Sequence, residues 1–235
     1  MMRVIIIIPA RYASTRFPSK PLVEINGKTM IMHVVERAKV LCPDVYVATD
    51  DQRIYDHVTS FGERAVMTSS DHQSGTDRCA EVLQKLGKDW DVVVNLQGDE
   101  PYINPAQIEE LTALFSSPEV NIATLARKIT DEKSIADPNK VKVVFDGNKK
   151  ALYFSRAAIP YAREKEGAEY FQHVGIYAFR PEVLMEITQL SQSNMELTEK
   201  LEQLRWLSNG YSVHVALTEY PNYSVDTPED IAFLP

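Results

Sequence analysis

The sequence predicts an α/β fold built on a mixed, mainly parallel sheet, and three observations support this class. Short apolar runs alternate with segments of helical periodicity through the first half of the chain. This alternation is typical of βαβ units. The run Val92–Leu96 is almost continuously apolar, as in a strand covered by helices on both faces. No linker, repeat or low-complexity segment divides the chain, so we expect one domain over residues 1–235.

The strand and helix pairs of the first half follow in order. They are Val4–Ile8 with Lys28–Leu41, Val45–Ala48 with Gln52–Phe61, and Val92–Leu96 with Pro105–Phe115. Asn104 before Pro105 is a typical helix start, because the side chain can cap the helix and proline needs no hydrogen-bond donor in the first turn. Thr227 before Pro228 repeats this pattern near the end of the chain.

From about residue 140 the pattern becomes rich in strands. The predicted strands are Val141–Phe145, Ala151–Phe154 and Val174–Phe179. Seven of the chain's 21 aromatic residues lie within 149–180, which predicts a small antiparallel lobe whose exposed rings would be covered by the substrate or by a partner subunit. Farther on, Ser193 and Glu196 form a capping box for a helix over Leu197–Leu207.

Composition excludes several classes of protein. The chain has 25 Lys and Arg against 33 Asp and Glu, a net charge of −8, which argues against general binding to nucleic acid or to anionic membranes. The aliphatic run Val4–Ile8 is far shorter than the roughly 20 residues of a membrane span. Cys42 and Cys79 have no CxxC or Cys/His cluster around them, so neither a disulfide framework nor a structural zinc site is expected. These features predict a cytoplasmic protein.

The loop after the first strand concentrates positive charge in an acidic protein. Arg11, Arg16 and Lys20 lie there, and residues 4–23 contain no acidic residue. Loops at the carboxyl ends of parallel strands face the ligand crevice in α/β folds. A polyanion such as a triphosphate is therefore the expected ligand, and a solvated basic loop is the alternative interpretation.

The same loop contains no glycine. It therefore matches neither the phosphate-binding GxxxxGK loop nor the GxGxxG turn, and kinase and NAD-dependent dehydrogenase activities lose their main support. A phosphate site here must depend on cationic side chains.

Two aspartates are candidates for a magnesium site. Asp99 follows the Val92–Leu96 strand in a stretch, residues 91–110, that holds five acidic residues and no cation. Asp226 precedes the predicted helix start at Thr227. If both follow strands parallel to the first, they meet at one edge of the sheet, where carboxylates can hold Mg²⁺ against substrate phosphates. A role as turn or cap former remains open for each.

The segment Ser74–Arg78 is typical of the start of a helix, here predicted over Asp77–Leu86 with Thr76 as its cap. Arg78 falls in the first turn, where the helix dipole disfavours a cation. It therefore either serves a ligand or is solvated.

Taken together, these segments resemble the 3-deoxy-manno-octulosonate (KDO) cytidylyltransferases. The resemblance rests on seven ordered motifs along nearly the whole chain: IPARYASTRFPSKPL (8–22), DHQSGTDRCAEV (71–82), VVNLQGDEP (93–101), ALYFSRAAIPY (151–161), HVGIYAFR (173–180), LEQLR (201–205) and VDTPED (225–230). It implies a three-layer, Rossmann-like nucleotide-diphospho-sugar transferase fold with an antiparallel dimerisation lobe. It also implies a cytoplasmic homodimer that transfers CMP from CTP to KDO for lipopolysaccharide synthesis.

The resemblance also implies roles for individual residues. The CTP phosphates would contact Arg11, Arg16 and Lys20, with Arg78 nearby, and Ser74 and Thr76 would lie near the nucleotide. Asp99 and Asp226 would hold Mg²⁺ and, with Arg16 and Lys20, form the catalytic set. The sugar acid would contact Gln97, Arg156, His173, Glu202 and Gln203.

Some alternatives remain open at this stage. His173 can be a structural histidine, and Glu202 with Arg205 can be a helix-surface pair. The acceptor can be another acidic sugar, such as an 8-amino KDO analogue or sialic acid, and a non-catalytic nucleotide-binding module is the third interpretation. Ser19 occupies a position where the family commonly has glycine, so a positive φ there would strain the loop. The helix after Thr227 is expected to be short.

Overall fold

The computed structural model describes residues 2–13, 17–87, 89–164 and 166–235. It contains two compact units, of which the first comprises Met1–Glu109 with Asn222–Pro235 and the second Glu110–Pro221. The first unit is therefore interrupted in sequence by the whole of the second. The expectation of a single domain over 1–235 stays a prediction.

The first unit is built on four parallel strands in the order β6-β1-β4-β5. These strands are β1 (Val4–Ala10), β4 (Val45–Thr49), β5 (Ala65–Met67) and β6 (Val92–Asn95). A two-stranded hairpin adds β2 (Glu24–Ile25) and β3 (Lys28–Thr29). The helices are α1 (Met30–Lys39), α2 (Gln52–Ser60), α3 (Gly75–Leu86) and α4 (Pro105–Ala113), the last of which continues across the boundary into the second unit. The predicted order of strands and helices is confirmed.

Hydrophobic burial explains the position of β1. Its residues Ile5 to Ile8 are fully buried between β4 and β6, and both α1 and α3 pack against the strand. The strand is therefore a continuous aliphatic run rather than an alternating one. Its carboxyl end leads into the basic loop, so the core of the unit directly supports that loop.

The second unit combines one parallel and several antiparallel strand pairs. Strands β7 (Ile122–Lys128) and β11 (Val213–Leu217) are parallel, and β10 (Phe171–Phe179) runs antiparallel to β7 with an irregularity between Val174 and Tyr177. The antiparallel pair β8 (Lys142–Phe145) and β9 (Ala151–Ser155) joins β10 at Gln172. The antiparallel character predicted after residue 140 is confirmed.

The helices of the second unit correct one boundary. They are α5 (Glu132–Ala136), α6 (Pro181–Ile187), α7 (Asn194–Glu199) and α8 (Gln203–Ser208). The predicted capping box of Ser193 and Glu196 is present, but the single helix over Leu197–Leu207 was wrong, because Lys200 adopts a left-handed φ of 55° and ends α7. Across the described ranges, none of the helices has the length and apolarity needed to span a membrane.

Candidate active site

Lys20 and Asp99 form the centre of the site in the first unit. The Lys20 ammonium donates to Asp99 Oδ2 at 2.6 Å and to the backbone oxygen of Val225 at 2.8 Å. The backbone N–H of Val225 donates to the Asp99 carbonyl at 2.9 Å. The segments that contain Lys20, Asp99 and Val225 are distant in sequence and meet here. The Lys20 side chain links the Asp99 segment to the Val225 segment.

Gly98 explains how Asp99 is brought to the end of β1. A Cβ atom added at Gly98 would lie 2.9 Å from the Pro9 carbonyl oxygen, so only glycine allows this close approach of the two backbones. Beside it, Gln97 donates from Nε2 to Asn95 Oδ1 at 3.3 Å. The loop after β6 is therefore packed directly against the start of the basic loop.

Asp226 reaches this region by a route that differs from the prediction. Asp226 does not directly follow a strand. The preceding strand, β11, ends at Leu217, and residues 221–227 are irregular. The segment is instead anchored by Val225, which is fully buried with Ile25 and Met30. The Asp226 N–H then donates to Asp230 Oδ2 at 2.8 Å within the capping box of the short 3₁₀ helix Pro228–Phe233. The convergence with the Asp99 loop is thus achieved by tertiary packing and not by strand alignment.

Glu100 places a second acidic group beside Asp99. Its side chain is buried, and desolvation, reinforced by the Asp99 charge and opposed by a hydrogen bond from Asn222, raises its pKa to about 8. Glu100 is therefore mostly a neutral carboxylic acid at pH 7. Its neutrality limits the negative charge that accumulates around Asp99.

The basic loop is described in part. Arg11 is exposed directly after β1, whereas Arg16 lies outside the described residues. Ser19 has a φ of 59°, so this position does adopt the left-handed conformation that was raised as a condition for strain in the loop. Its N–H donates to the Tyr12 carbonyl at 3.0 Å, which closes the base of the loop. The Tyr12 ring in turn stacks on the Arg53 guanidinium at 3.4 Å.

The start of α3 corrects two expectations. Ser74, not Thr76, caps the helix, because its extended backbone lets its hydroxyl accept from the Asp77 N–H while Asp77 reciprocates in a capping box. Thr76 is buried in the first turn. Arg78 is not solvated: it is buried, and its guanidinium contacts Asp50 Oδ2 at 2.6 Å.

In the second unit, His173 belongs to an aromatic cluster. Its ring packs against Phe154 at 5.1 Å and Tyr177 at 5.3 Å, and its Nε2 lies 3.0 Å from the Thr124 hydroxyl. Desolvation lowers its pKa to about 3, so the imidazole is neutral at pH 7. His173 can therefore exchange hydrogen bonds with a ligand but cannot supply a positive charge.

The same cluster, together with the helix α8 that contributes Trp206 to it, contains buried polar atoms that make no hydrogen bond within the described chain. They are the Tyr177 hydroxyl, Gln203 Nε2 and Trp206 Nε1. Burial, followed by the nearby Glu202 charge, raises the Tyr177 pKa. Unsatisfied buried polar atoms are rare and costly, so each one calls for an explanation, of which a functional role is one. Sequence reasoning identified Gln203 but missed Tyr177 and Trp206.

Arg156 and Arg205 have definite protein partners. Arg156 donates from Nε to the Glu199 carbonyl at 2.8 Å and from Nη1 to the Pro138 carbonyl at 3.0 Å. Arg205 is buried rather than on the helix surface, and its guanidinium binds Glu196 at 2.6 and 2.8 Å in a bidentate ion pair. Of the five predicted sugar-side residues, Gln97 lies in the first unit and the other four lie in the second.

The carboxylates of the first unit fit a Mg²⁺ ion that is bound partly by substrate and water, and not a metal ion that is bound by protein ligands alone. Among residues 2–13, 17–87, 89–164 and 166–235, no group of three or more His, Cys, Asp or Glu side chains could hold a metal. Mg²⁺ commonly takes only one or two carboxylates and completes its shell with water and substrate phosphates. Asp99 and the Asp226 segment fit that requirement.

The fold is shared with a protein of much lower sequence identity. A solved structure of a putative glucose-1-phosphate thymidylyltransferase from Bacillus anthracis, 17% identical, matches with a TM-score of 0.67 over 98% of this chain and 93% of that one. At this identity the likeness establishes the fold class.

Closer comparisons define the family. A sequence model described as cytidylyltransferase matches residues 5–217. A 3-deoxy-manno-octulosonate cytidylyltransferase of Parabacteroides distasonis is 52% identical over 98% of this chain and 96% of the relative. An 8-amino-3,8-dideoxy-manno-octulosonate cytidylyltransferase of Shewanella halifaxensis is 50% identical over 98% and 96%. A structure of CMP:2-keto-3-deoxy-manno-octonic acid synthetase complexed with CTP is 45% identical, with a TM-score of 0.93 over 98% and 96%. The chain belongs to the 3-deoxy-manno-octulosonate cytidylyltransferase family.

Proposed function

We propose that this protein transfers CMP from CTP to the anomeric 2-hydroxyl of KDO. The hydroxyl oxygen bonds to the α-phosphorus while the bond to the pyrophosphate oxygen breaks, and the hydroxyl proton is released. The product is CMP-KDO, the activated sugar for lipopolysaccharide synthesis. Family membership and the meeting of Lys20 with Asp99 at 2.6 Å support this reaction.

The basic loop binds the triphosphate in this proposal. Lys20 already lies between the Asp99 carboxylate and the Val225 carbonyl, so its ammonium is held in one place by two oxygens. Arg11 and Arg16 supply further cations from the same loop. Fixed cations stabilise the charge that gathers on the phosphate oxygens as the leaving group departs.

Asp99 and Asp226 would hold a Mg²⁺ ion. When bound, Mg²⁺ neutralises phosphate charge and makes a coordinated sugar hydroxyl easier to ionise. The two aspartates would fix the ion's position. Because Glu100 is neutral, it adds no negative charge that Lys20 would have to compensate. Ser74, Thr76 and Arg78 line the nucleotide side.

The sugar acid binds through Gln97, Arg156, His173, Glu202 and Gln203, to which we add Tyr177 and Trp206. The unpartnered donors Gln203 Nε2 and Trp206 Nε1 support this assignment, because a polyhydroxylated acid offers many acceptors. Neutral His173 contributes orientation and not charge.

The test is a pyrophosphate-release assay with CTP, Mg²⁺ and KDO, with CMP-KDO identified by mass. Turnover that requires all three components supports the proposal. CTP binding without turnover would instead indicate a non-catalytic nucleotide-binding module.

A second acceptor has specific support. The relative from Shewanella halifaxensis, 50% identical, carries the name of an 8-amino KDO analogue as its substrate. The same assay with KDO, the 8-amino analogue and sialic acid compares kcat/KM for each. A higher value with the amino sugar would move the assignment to that substrate.

We further propose a cytoplasmic homodimer. The reason drawn from the sequence was wrong in part, because Phe154, Tyr177 and Phe179 are buried within the second unit. An open groove of about 540 Å³ supports the dimer instead; its lining includes Ile135, Pro160 and Tyr161, and Tyr161 is 89% exposed. Sedimentation at micromolar concentration tests this, and a monomer would refute it.

A further inference from the structure

The segment before α3, residues 67–72, folds back along the side of that helix. Arg78, Glu81 and Lys85 are spaced three and four residues apart, so their side chains share one face of α3. All three make hydrogen bonds or ion pairs to residues of this preceding segment. Its conformation is therefore encoded largely by the helix that follows it.

Arg78 and Lys85 hold the backbone of the segment at its beginning. Arg78 Nη1 donates to the Thr68 hydroxyl at 2.8 Å and to the Ser69 carbonyl at 3.0 Å. Lys85 Nζ donates to the Met67 carbonyl at 2.6 Å. These contacts fix where the chain leaves β5.

Glu81 holds the middle of the segment. Its carboxylate accepts from the Ser69 N–H at 2.8 Å and from His72 Nε2 at 2.5 Å, and it pairs with Lys85 at 2.7 Å. The side chain is 18% exposed, so water competes little with these contacts. Burial would raise its pKa, but the donors from Lys85, Ser69 and His72 outweigh it and lower the pKa to about 2. Glu81 is thus a carboxylate at any pH at which the enzyme works.

The helix start that follows this segment lies against the end of β1, just before the basic loop. A Cβ atom added at Gly75 would be 3.0 Å from Pro9 Cγ, so the start of α3 abuts the last residues of β1. Ser74 and Thr76, assigned above to the nucleotide, flank this contact. A shift of residues 67–72 would therefore move both of them relative to Arg11 and Lys20.

We propose that Glu81 is a positioning residue for CTP, holding residues 67–72 against α3 so that Ser74 and Thr76 are fixed beside the phosphate loop. This inference rests on the proposed function for the identity of the nucleotide. Glu81 touches no substrate and acts through the backbone of Ser69 and the ring of His72. Preorganisation of this kind lowers the ordering cost of ligand binding.

The experiment compares Glu81→Ala, Glu81→Gln and His72→Asn with wild type. CTP affinity by calorimetry without sugar should fall about tenfold in Glu81→Ala, and amides of residues 67–74 should exchange hydrogen faster. Glu81→Gln still accepts from Ser69 and should restore most of the affinity. The KM for KDO should stay within about twofold, since the sugar contacts are elsewhere. Gln84→Ala, exposed on the same helix, is the matched control.

Unchanged CTP affinity in Glu81→Ala together with faster exchange at 67–74 would overturn the proposal, and so would unchanged exchange. If Glu81→Ala does not fold, the same two measurements on His72→Asn support or overturn the proposal by the same criteria. A wild type that binds CTP but transfers no CMP would refute the proposed function alone, because calorimetry and exchange do not depend on turnover.

Discussion

The charged site of the first unit and the aromatic cluster of the second unit, each taken by itself, treat their polar groups in opposite ways. In the first unit, charges are close and paired: Lys20 lies 2.6 Å from Asp99, and Arg78 lies 2.6 Å from Asp50. In the second unit, the aromatic cluster of Phe154, His173, Tyr177 and Trp206 is neutral, and Trp206 Nε1 and the nearby Gln203 Nε2 on the same helix are buried without a partner in the described ranges. The first arrangement is charge-balanced before any ligand arrives, whereas the second leaves hydrogen-bonding capacity open.

This difference assigns different tasks to the two regions. In a charge-balanced site, an incoming phosphate competes with the Asp99 carboxylate for the Lys20 ammonium. Binding there therefore depends on the balance between these two electrostatic interactions. A neutral cluster with unused donors gains hydrogen bonds from a ligand without losing any. Variants should therefore separate chemistry and CTP use from sugar recognition.

The largest expected effect comes from the two aspartates. Asp99→Asn or Asp226→Asn keeps the side-chain size and removes the charge, so turnover at saturating Mg²⁺ should fall on the order of a hundredfold or more. Steady-state pyrophosphate release measures this, with exposed Asp56→Asn as the control. Activity within a few-fold of wild type would exclude that aspartate as a metal ligand.

The next effect concerns the cations of the first loop. Arg16→Ala and Lys20→Ala should each raise the KM for CTP roughly tenfold or more while the KM for KDO changes little, because a charge-assisted phosphate contact is lost. Lys28→Ala, which removes a surface pair with Glu36, is the control. Equal changes in the KM for CTP and the KM for KDO would contradict the assignment of separate tasks to the two regions.

A smaller effect tests the neutral cluster. Tyr177→Phe removes a buried hydroxyl without a well-formed hydrogen bond, so thermal stability should be unchanged or slightly higher. The KM for the sugar acid should nevertheless rise about tenfold, with the KM for CTP unchanged. Tyr211→Phe, whose hydroxyl contacts Glu186 at the surface, should change neither. Loss of stability in Tyr177→Phe would indicate a structural hydroxyl.

The smallest effect is on stability alone. Ser19 has a φ of 59°, a conformation that costs a residue with a side chain about 1–2 kcal/mol. Ser19→Gly should therefore raise the free energy of unfolding by about 0.5–1 kcal/mol after glycine's greater flexibility in the unfolded chain is subtracted. Urea unfolding measures this. Destabilisation would show that the Ser19 side chain supports the loop in another way.

Local sequence signals predicted the fold well where each element carries its own chemistry. The aliphatic run of β1, the cap at Asn104 and the capping box at Ser193 all appear in the structure. The Asn26-Gly27 turn between β2 and β3, with φ of 51° and 79°, is a signal the sequence contained and the prediction overlooked. The break at Lys200 left no such signal, because a lysine there gives no warning of a left-handed residue.

The site was less predictable because its contacts are long-range. The alternation of strands and helices predicted that Asp99 follows a strand. Asp226 instead reaches the region because Val225 is buried, and no local sequence pattern indicates that burial. Arg205 pairs with Glu196 across the break between α7 and α8, and a surface pair with Glu202 was the simpler expectation. Burial decides such pairings, and it depends on the whole fold.

The closing of the first unit by Asn222–Pro235 has a consequence for synthesis on the ribosome. Strands β1, β4, β5 and β6 are all made in the first 95 residues and can pair early. The contact between Lys20 and Val225 joins residues 205 positions apart, so it forms only after the second unit has been translated. A nascent chain therefore carries its basic loop for most of its synthesis before Asp226 exists. If Asp226 holds Mg²⁺ as proposed, the chain becomes competent for catalysis only after residue 226 has been made.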